Sequence, residues 1–199
     1  MKTSRIIFTS LFTALALAVF AAAPVSAQDK HVPKAQAWAE KTLRGWMKDP
    51  AVIEAVKAQN AKHAGLTPEK IIELDKQWRA ETKAPAKPLI NEVMGNPLSA
   101  YLKKKEGESK GLVTEIFVMD NKGLNVGQSD VTSDYWQGDE AKWQKTFSVG
   151  PNAVFVDKVE QDESTQKFQT QVSISVVDAA GAVIGAVTVG LDVEMLMEL

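Results

Sequence analysis

Two hydrophobic periods divide the chain. Over 32–110 apolar residues recur at helical spacing, and from Gly111 onward they alternate with polar ones. In the first part the pairs Asp49-Pro50, Thr67-Pro68 and Asn96-Pro97 mark helix starts. Each sets a side chain that can accept the free N–H groups of a first turn before a proline suited to the first helical position. The spacing predicts helices over 34–48, 50–63, 68–82, 86–94 and 97–105, with the first two also readable as one long kinked helix. In 68–82, Ile71, Ile72, Leu74 and Trp78 form the apolar stripe, which leaves Glu73, Lys76, Gln77 and Lys83 for water. Trp38, Trp46 and Trp78 are read as core or helix-packing residues, because an indole buries so much area. The KAPAKP stretch at 83–88 is a short connector.

The second part reads as strands. LVTEIFVMD at 112–120 runs through Asn121-Lys122-Gly123 into LNVGQSD. A turn-forming Asp120 followed three residues later by glycine predicts a hairpin with a type I turn and a left-handed Gly123. VVDAAGAVIG from Val176 repeats that chemistry, although its flanks do not match and no internal repeat follows. NAVFVDKVEQDEST and KFQTQVSISVVDA supply two further strands, the second alternating Val172, Ile174 and Val176 with Gln171, Ser173 and Ser175. In the last strand Val187, Val189 and Leu191 alternate with Ala186, Thr188 and Gly190. Five antiparallel strands with a helix beginning near Gly138 predict an α+β fold, helices on one face of a sheet.

Composition narrows the compartment. Lys2 and Arg5 precede an apolar run from Ile6 to Ala23, then Pro24 and the small-residue site Val25-Ser26-Ala27. That order predicts a signal peptide over 1–27, cleaved between Ala27 and Gln28, and a periplasmic or secreted protein. A retained N-terminal anchor is the alternative. The rest divides into a helical region, 28–110, and a sheet, 111–199, within one structural domain. The chain has no cysteine, which excludes disulfides, thiolate chemistry and a lipidated cysteine. A formal net charge of −2 argues against a nucleic-acid partner, and Glu106 and Glu108 answer the basic run Lys103-Lys104-Lys105.

Candidate chemistry concentrates in TSDYWQGDEAKW at 132–143, which holds Tyr135, Trp136 and Trp143 beside Asp134, Asp139, Glu140 and Lys142. No catalytic motif accompanies it. His31 and His63 belong to no triad, and G-x-S-x-G, P-loop and paired-histidine patterns are absent. No enzyme activity and no cofactor are expected. Asp130, Asp134, Asp139 and Glu140 offer oxygen ligands, but their spacing does not fit a calcium loop, and no metal is expected.

The order of elements carries a resemblance. AVKAQN, LDKQW, IFVMDNKGLNVGQSD, TSDYWQGDEAKW and the closing IGAVTVGLDVEML together resemble an extracytoplasmic Cache domain, the PAS-like sensor module of bacterial receptors, in a stand-alone periplasmic form. The resemblance implies a five-stranded PAS-like sheet with a loop-helix insertion after the second strand. It implies a small-molecule ligand, an amine, amino acid or organic acid, between the two. Tyr135 and Trp136 would then form an aromatic wall, with Trp143 seven residues on. Asp134 and Asp139 would receive an ammonium, Lys142 or Lys145 a carboxylate, and Gln171 and Ser173 would donate from the sheet. Other readings stay open: Asp139 as a helix cap, and Gln171 and Ser173 on an exposed polar sheet face. Beyond residue 27 the only arginines are Arg44 and Arg79, neither in the insertion, so no bidentate carboxylate clamp is expected. The chain stops at Leu199, just after the last strand, so a signal is expected to pass to a membrane-bound receptor or kinase. A homodimer through the N-terminal helix is implied as well. The alternative is a non-catalytic adaptor that dimerises through those helices without a ligand.

Overall fold

Helices begin where the cap–proline pairs stand. The computed structural model describes residues 30–161 and 167–199, so the signal-peptide expectation for 1–27 lies outside the described residues. The first helical run is α1 (His31–Trp38), a π-wound turn (Ala39–Leu43) and α2 (Arg44–Trp46). Then come α3 (Pro50–Lys62), α4 (Pro68–Glu81), α5 (Pro88–Met94) and α6 (Pro97–Glu108). Asp49, Thr67 and Asn96 accept from the N–H groups of Ala51 (2.9 Å), Lys70 (3.4 Å) and Ser99 (2.8 Å). Asp49 is extended, with ψ 134°, so α2 and α3 are separate helices rather than one kinked rod. α5 opens later than its pattern predicts because Lys87, held out of the helical region by Pro88, is its cap.

The sheet is antiparallel throughout. β1 (Val113–Met119), β2 (Asn125–Gln128), β3 (Val154–Val156), β5 (Phe168–Val177) and β6 (Val183–Asp192) lie in the order β2-β1-β6-β5-β3, a PAS-like arrangement. A sixth strand, β4 (Glu160–Gln161), also pairs with β5, one more than the pattern predicts. The hairpin chemistry is as expected at both turns. Gly123 and Gly181 take φ of 83° and 84°. Asp120 Oδ1 accepts from the N–H groups of Lys122 and Leu124, as Asp178 Oδ1 does from Ala180 and Ala182.

Alternation sorts the sheet into two faces. Ile116, Val118, Val172, Ile174, Val176, Val187, Val189 and Leu191 pack under Ala35, Trp38, Leu43, Val52, Val56, Leu98 and Leu102 from α1, the π turn, α3 and α6. Leu196, from the closing helix α8 (Val193–Glu198), completes that core. A second cluster joins Ile71 and Trp78 of α4 and Ile90 and Val93 of α5 to Leu124 and Tyr135. Ile72 is not part of the α4 stripe; it is 40% exposed, one residue off the buried line.

The insertion differs from its pattern. Its helix, α7 (Ala141–Gln144), spans four residues and starts beyond Gly138. Residues 135–137 are strand-like instead: Trp136 bridges Leu124, Asn125 N donates to Tyr135 O (3.0 Å), and Gln137 N donates to Gly123 O (2.7 Å). Trp136 and Trp143 therefore do not share a helix face.

Candidate functional site

Strand register lines up one row of side chains across the face away from the main core. Gln128 pairs with Phe117, Phe117 with Thr188, Thr188 with Ser173, and Ser173 with Phe155. Directly paired residues leave a sheet on the same side, so these five form one line from β2 to β3. Gln128, Phe117, Thr188 and Ser173 are all buried. Ser173 and Thr188 share a hydrogen bond of 2.9 Å between their hydroxyls. One row along, Gln171 Nε2 donates to Glu115 Oε1 (2.8 Å), and Thr114 Oγ1 donates to Gln169 Oε1 (2.9 Å).

The insertion roofs this face. Trp143 stacks on Phe147 at 4.7 Å, and both pack against Phe117, Met119 and Ala186. The Trp143 indole donates to Asp120 O (3.2 Å). Lys142 Nζ stands 5.4 Å from the Phe117 ring centroid, 2.8 Å from Glu140 Oε2, and donates to Gln137 Oε1 (3.4 Å). Lys145 Nζ lies 4.5 Å from the Phe155 ring centroid. Between roof, sheet and the β3–β4 connector is a cavity of about 270 Å³ lined by Glu140, Lys142, Asp157, Lys158, Glu160, Gln169 and Gln171.

Among the described residues, two buried polar atoms on β2 have no protein partner: Gln128 Nε2, a donor, and Asn125 Oδ1, an acceptor. The Thr132 hydroxyl links their other ends, 3.0 Å from Asn125 Nδ2 and 3.4 Å from Gln128 Oε1. An unmade buried hydrogen bond costs about 1–3 kcal/mol. Gln128 and Asn125 share the outer face with Lys142 but are not among the residues that line its cavity, whose polar walls carry both signs of charge and can orient a small polar molecule.

The sequence-derived residues divide between this face and its wall. Trp143, Gln171 and Ser173 lie on it or against it. Tyr135 and Trp136 belong to the α4–α5 cluster, where Tyr135 stacks on Trp78 at 5.3 Å. Burial, first, and the charges of Asp120 and Glu92 push the Tyr135 phenol far above its ordinary range. The Trp136 indole donates to Lys122 O (2.8 Å). Asp134 Oδ1 accepts from Gln137 Nε2 (2.6 Å), and Asp134 Oδ2 accepts from Arg79 Nη2 (3.1 Å). Asp139 is exposed and does not cap α7, whose cap residue is Glu140. Among the described residues no three histidines or acids group as metal ligands.

Sequence reasoning missed Phe117, Gln128, Thr188 and Glu115. The alternation of Glu115, Phe117 and Met119 against Ile116 and Val118 is the signal that places the β1 residues. Arg79 lies outside the insertion in sequence, yet its Nη2 donates to Asp134 within it.

No family model matches the sequence, and no curated protein matches it. Among solved structures the chain is similar to the ligand-binding domain of the Campylobacter jejuni chemoreceptor Tlp3 in complex with 4-methylisoleucine, at 15% identity and a TM-score of 0.40 over 86% of this chain and 59% of that one. It is similar to the sensor domain of E. coli DcuS at 12% identity and a TM-score of 0.46, covering 83% of this chain and 96% of that one. The ligand-binding domain of the Pseudomonas aeruginosa amino acid chemoreceptor PctC in complex with GABA matches at 12% identity and a TM-score of 0.37, over 85% and 63%. The chain thus spans about three fifths of the length of these two chemoreceptor domains.

Proposed function

We propose that this protein is an extracytoplasmic sensor domain that binds a small amine, amino acid or organic acid on the outer sheet face and passes the signal to a membrane-bound receptor or kinase. The observation that carries the reading is the cavity under the insertion, where Lys142, which stands over Phe117, lies among Glu140, Asp157, Glu160 and Gln171. Gln128 Nε2 and Asn125 Oδ1, buried on the same sheet face without partners among the described residues, add a free donor and a free acceptor to that face. Among the described residues Lys142 has one carboxylate within salt-bridge distance, Glu140 at 2.8 Å, so a ligand carboxylate competes with one partner. A ligand ammonium finds Glu140, Asp157 and Glu160 around the same cavity. Gln171 lines the cavity, Ser173 lies on the same sheet face and Trp143 in the roof over it, while Tyr135, Trp136 and Asp134 brace the roof. The Cache resemblance of the sequence supports the same assignment, and a cleaved signal peptide would deliver the protein to the periplasm.

A thermal-shift screen of amino acids, amines and short organic acids tests this. Ligand at 100–1,000 times its dissociation constant stabilises the fold by roughly 2–4 kcal/mol. A melting point unmoved across the screen, with unchanged tryptophan fluorescence, would count against the reading.

A second reading is a dimerising adaptor. Phe168, Met197 and Leu199 are exposed, and Phe168 and Met197 line one cavity with Lys30 and His31 at the start of α1. A monomer in sedimentation at micromolar concentration would remove it.

A further inference from the structure

The strand-like segment 135–137 uses one edge to pair with Gly123 to Asn125, at the end of the β1–β2 turn and the start of β2, through Gln137 N and Tyr135 O. The N–H groups of Tyr135 and Trp136 are both taken by one carboxylate on a different element. Asp75 Oδ1, on α4, accepts from Tyr135 N (2.9 Å) and Trp136 N (3.1 Å). Asp75 Oδ2 accepts from Arg79 Nε (2.7 Å), and Arg79 Nη2 reaches on to Asp134 Oδ2 (3.1 Å). The path continues inward. Asp134 Oδ1 accepts from Gln137 Nε2 (2.6 Å), and Gln137 Oε1 accepts from Lys142 Nζ (3.4 Å). An unbroken run of polar contacts therefore joins α4 to the ammonium above Phe117.

We propose that Asp75 and Arg79 are positioning residues for the outer-face site: they fix Asp134, and through it Gln137, and so hold Lys142 over Phe117. The proposal rests on the reading of that face as the ligand site. Charge explains why Arg79 is central. The Asp75 and Asp134 side chains are 12% and 13% exposed, and the Arg79 side chain that bridges them is 53% exposed. Without that cation two sparsely hydrated carboxylates face each other, and like charges so placed repel. The one that can move is Asp134, because Asp75 is tied to the Tyr135 and Trp136 amides. Its departure takes the shorter of two bonds from the Gln137 amide, leaving the Asp134 carbonyl at 3.4 Å, and so loosens the Gln137 contact to Lys142 while Glu140 remains beside the ammonium. The half-exposed Arg79 is thus a point on the outside of α4 from which the site can be loosened.

The test uses the full chain without ligand. Reductive methylation with formaldehyde, read by mass spectrometry, reports Lys142, and amide hydrogen exchange reports Tyr135 and Trp136. Arg79→Gln is expected to speed methylation of Lys142 several-fold while exposed Lys104 is unaffected, and Arg79→Lys to restore most of the protection. Asp75→Ala is expected to speed exchange at the two amides by about tenfold or more, with β5 and β6 unchanged. Should Asp75→Ala fail to fold, Arg79→Gln decides alone, since it leaves Asp75 on the amides. Unchanged Lys142 reactivity in folded Arg79→Gln overturns the proposal. So does faster exchange spread evenly over β5 and β6, which marks global loss of stability. Neither readout needs a ligand, so an empty ligand screen sinks the binding reading and not this one.

Discussion

His63 Nδ1 stands 2.8 Å from Asp120 Oδ2, with both side chains buried. The same oxygen accepts from Gln59 Nε2 (3.0 Å), the other from the N–H groups of Lys122 and Leu124, and the Asp120 carbonyl from Trp143. One residue thereby ties the end of α3, the β1–β2 turn and the roof together. Asp120→Ala strands several buried donors at once and is expected to cost about 3–5 kcal/mol, measured by urea unfolding. A midpoint shift equivalent to less than about 1 kcal/mol would show that the turn holds without its carboxylate.

Gly138 sits against the Trp136 indole, and an added Cβ would lie 2.9 Å from Lys122 O. The carbonyl cannot yield, because it accepts the Trp136 N–H. Gly138→Ala is expected to destabilise by about 1–3 kcal/mol and to move the Trp136 indole resonance. A wild-type spectrum from the variant would contradict the packing.

Gln128→Leu separates stability from binding. The wild-type amide leaves one buried donor unmatched, so an apolar replacement of similar length is expected to leave the melting point unchanged or raised. Affinity for any ligand found by the screen should fall about tenfold or more, the loss of about 1.4 kcal/mol. Full affinity in titration calorimetry would remove Gln128 from the site.

Glu106 gives a pH dependence. Burial raises its carboxyl above the usual value of 4.5, the Ser129 hydroxyl opposes this, and the charge of Asp130 adds to it. Its Oε2 has no hydrogen-bond partner among the described residues. A raised value means that the fold prefers the protonated form. That stability is fully present below pH 4.5 and is lost as pH rises through the raised value. Glu106→Gln is therefore expected to raise the melting temperature at pH 7, with the gain shrinking to nothing as pH falls below 4.5. Equal gains at both ends of the range would rule out the titration as the cause.

Much of the fold was legible because its signals are local. Asp49, Thr67 and Asn96 cap helices through N–H groups two or three residues away, and Gly123 and Gly181 turn chains that Asp120 and Asp178 close. Alternation in β5 and β6 gave the two faces. The helix starts at Ala141 rather than near Gly138, because residues 135–137 are drawn into strand-like pairing with Gly123 to Asn125, a partner that local spacing does not reveal.

The candidate site was legible only in part. Composition drew attention to Tyr135 and Trp136, an adjacent aromatic pair in a polar stretch, and their backbone amides proved to be held by Asp75, 60 and 61 residues away. Gln128 and Thr188 carry no motif, and neither is unusual where it stands.

The sequence by itself determined the two hydrophobic periods, the capped helix starts, the D-x-x-G hairpins and the α+β class, since each depends on neighbours within a turn or a strand. Only the tertiary structure decided which side chains meet. Strand register aligned Gln128, Phe117, Thr188 and Ser173, and α4 supplied the carboxylate and guanidinium that set the roof. Such partners are chosen by burial and charge across the whole chain, where spacing along it carries no record.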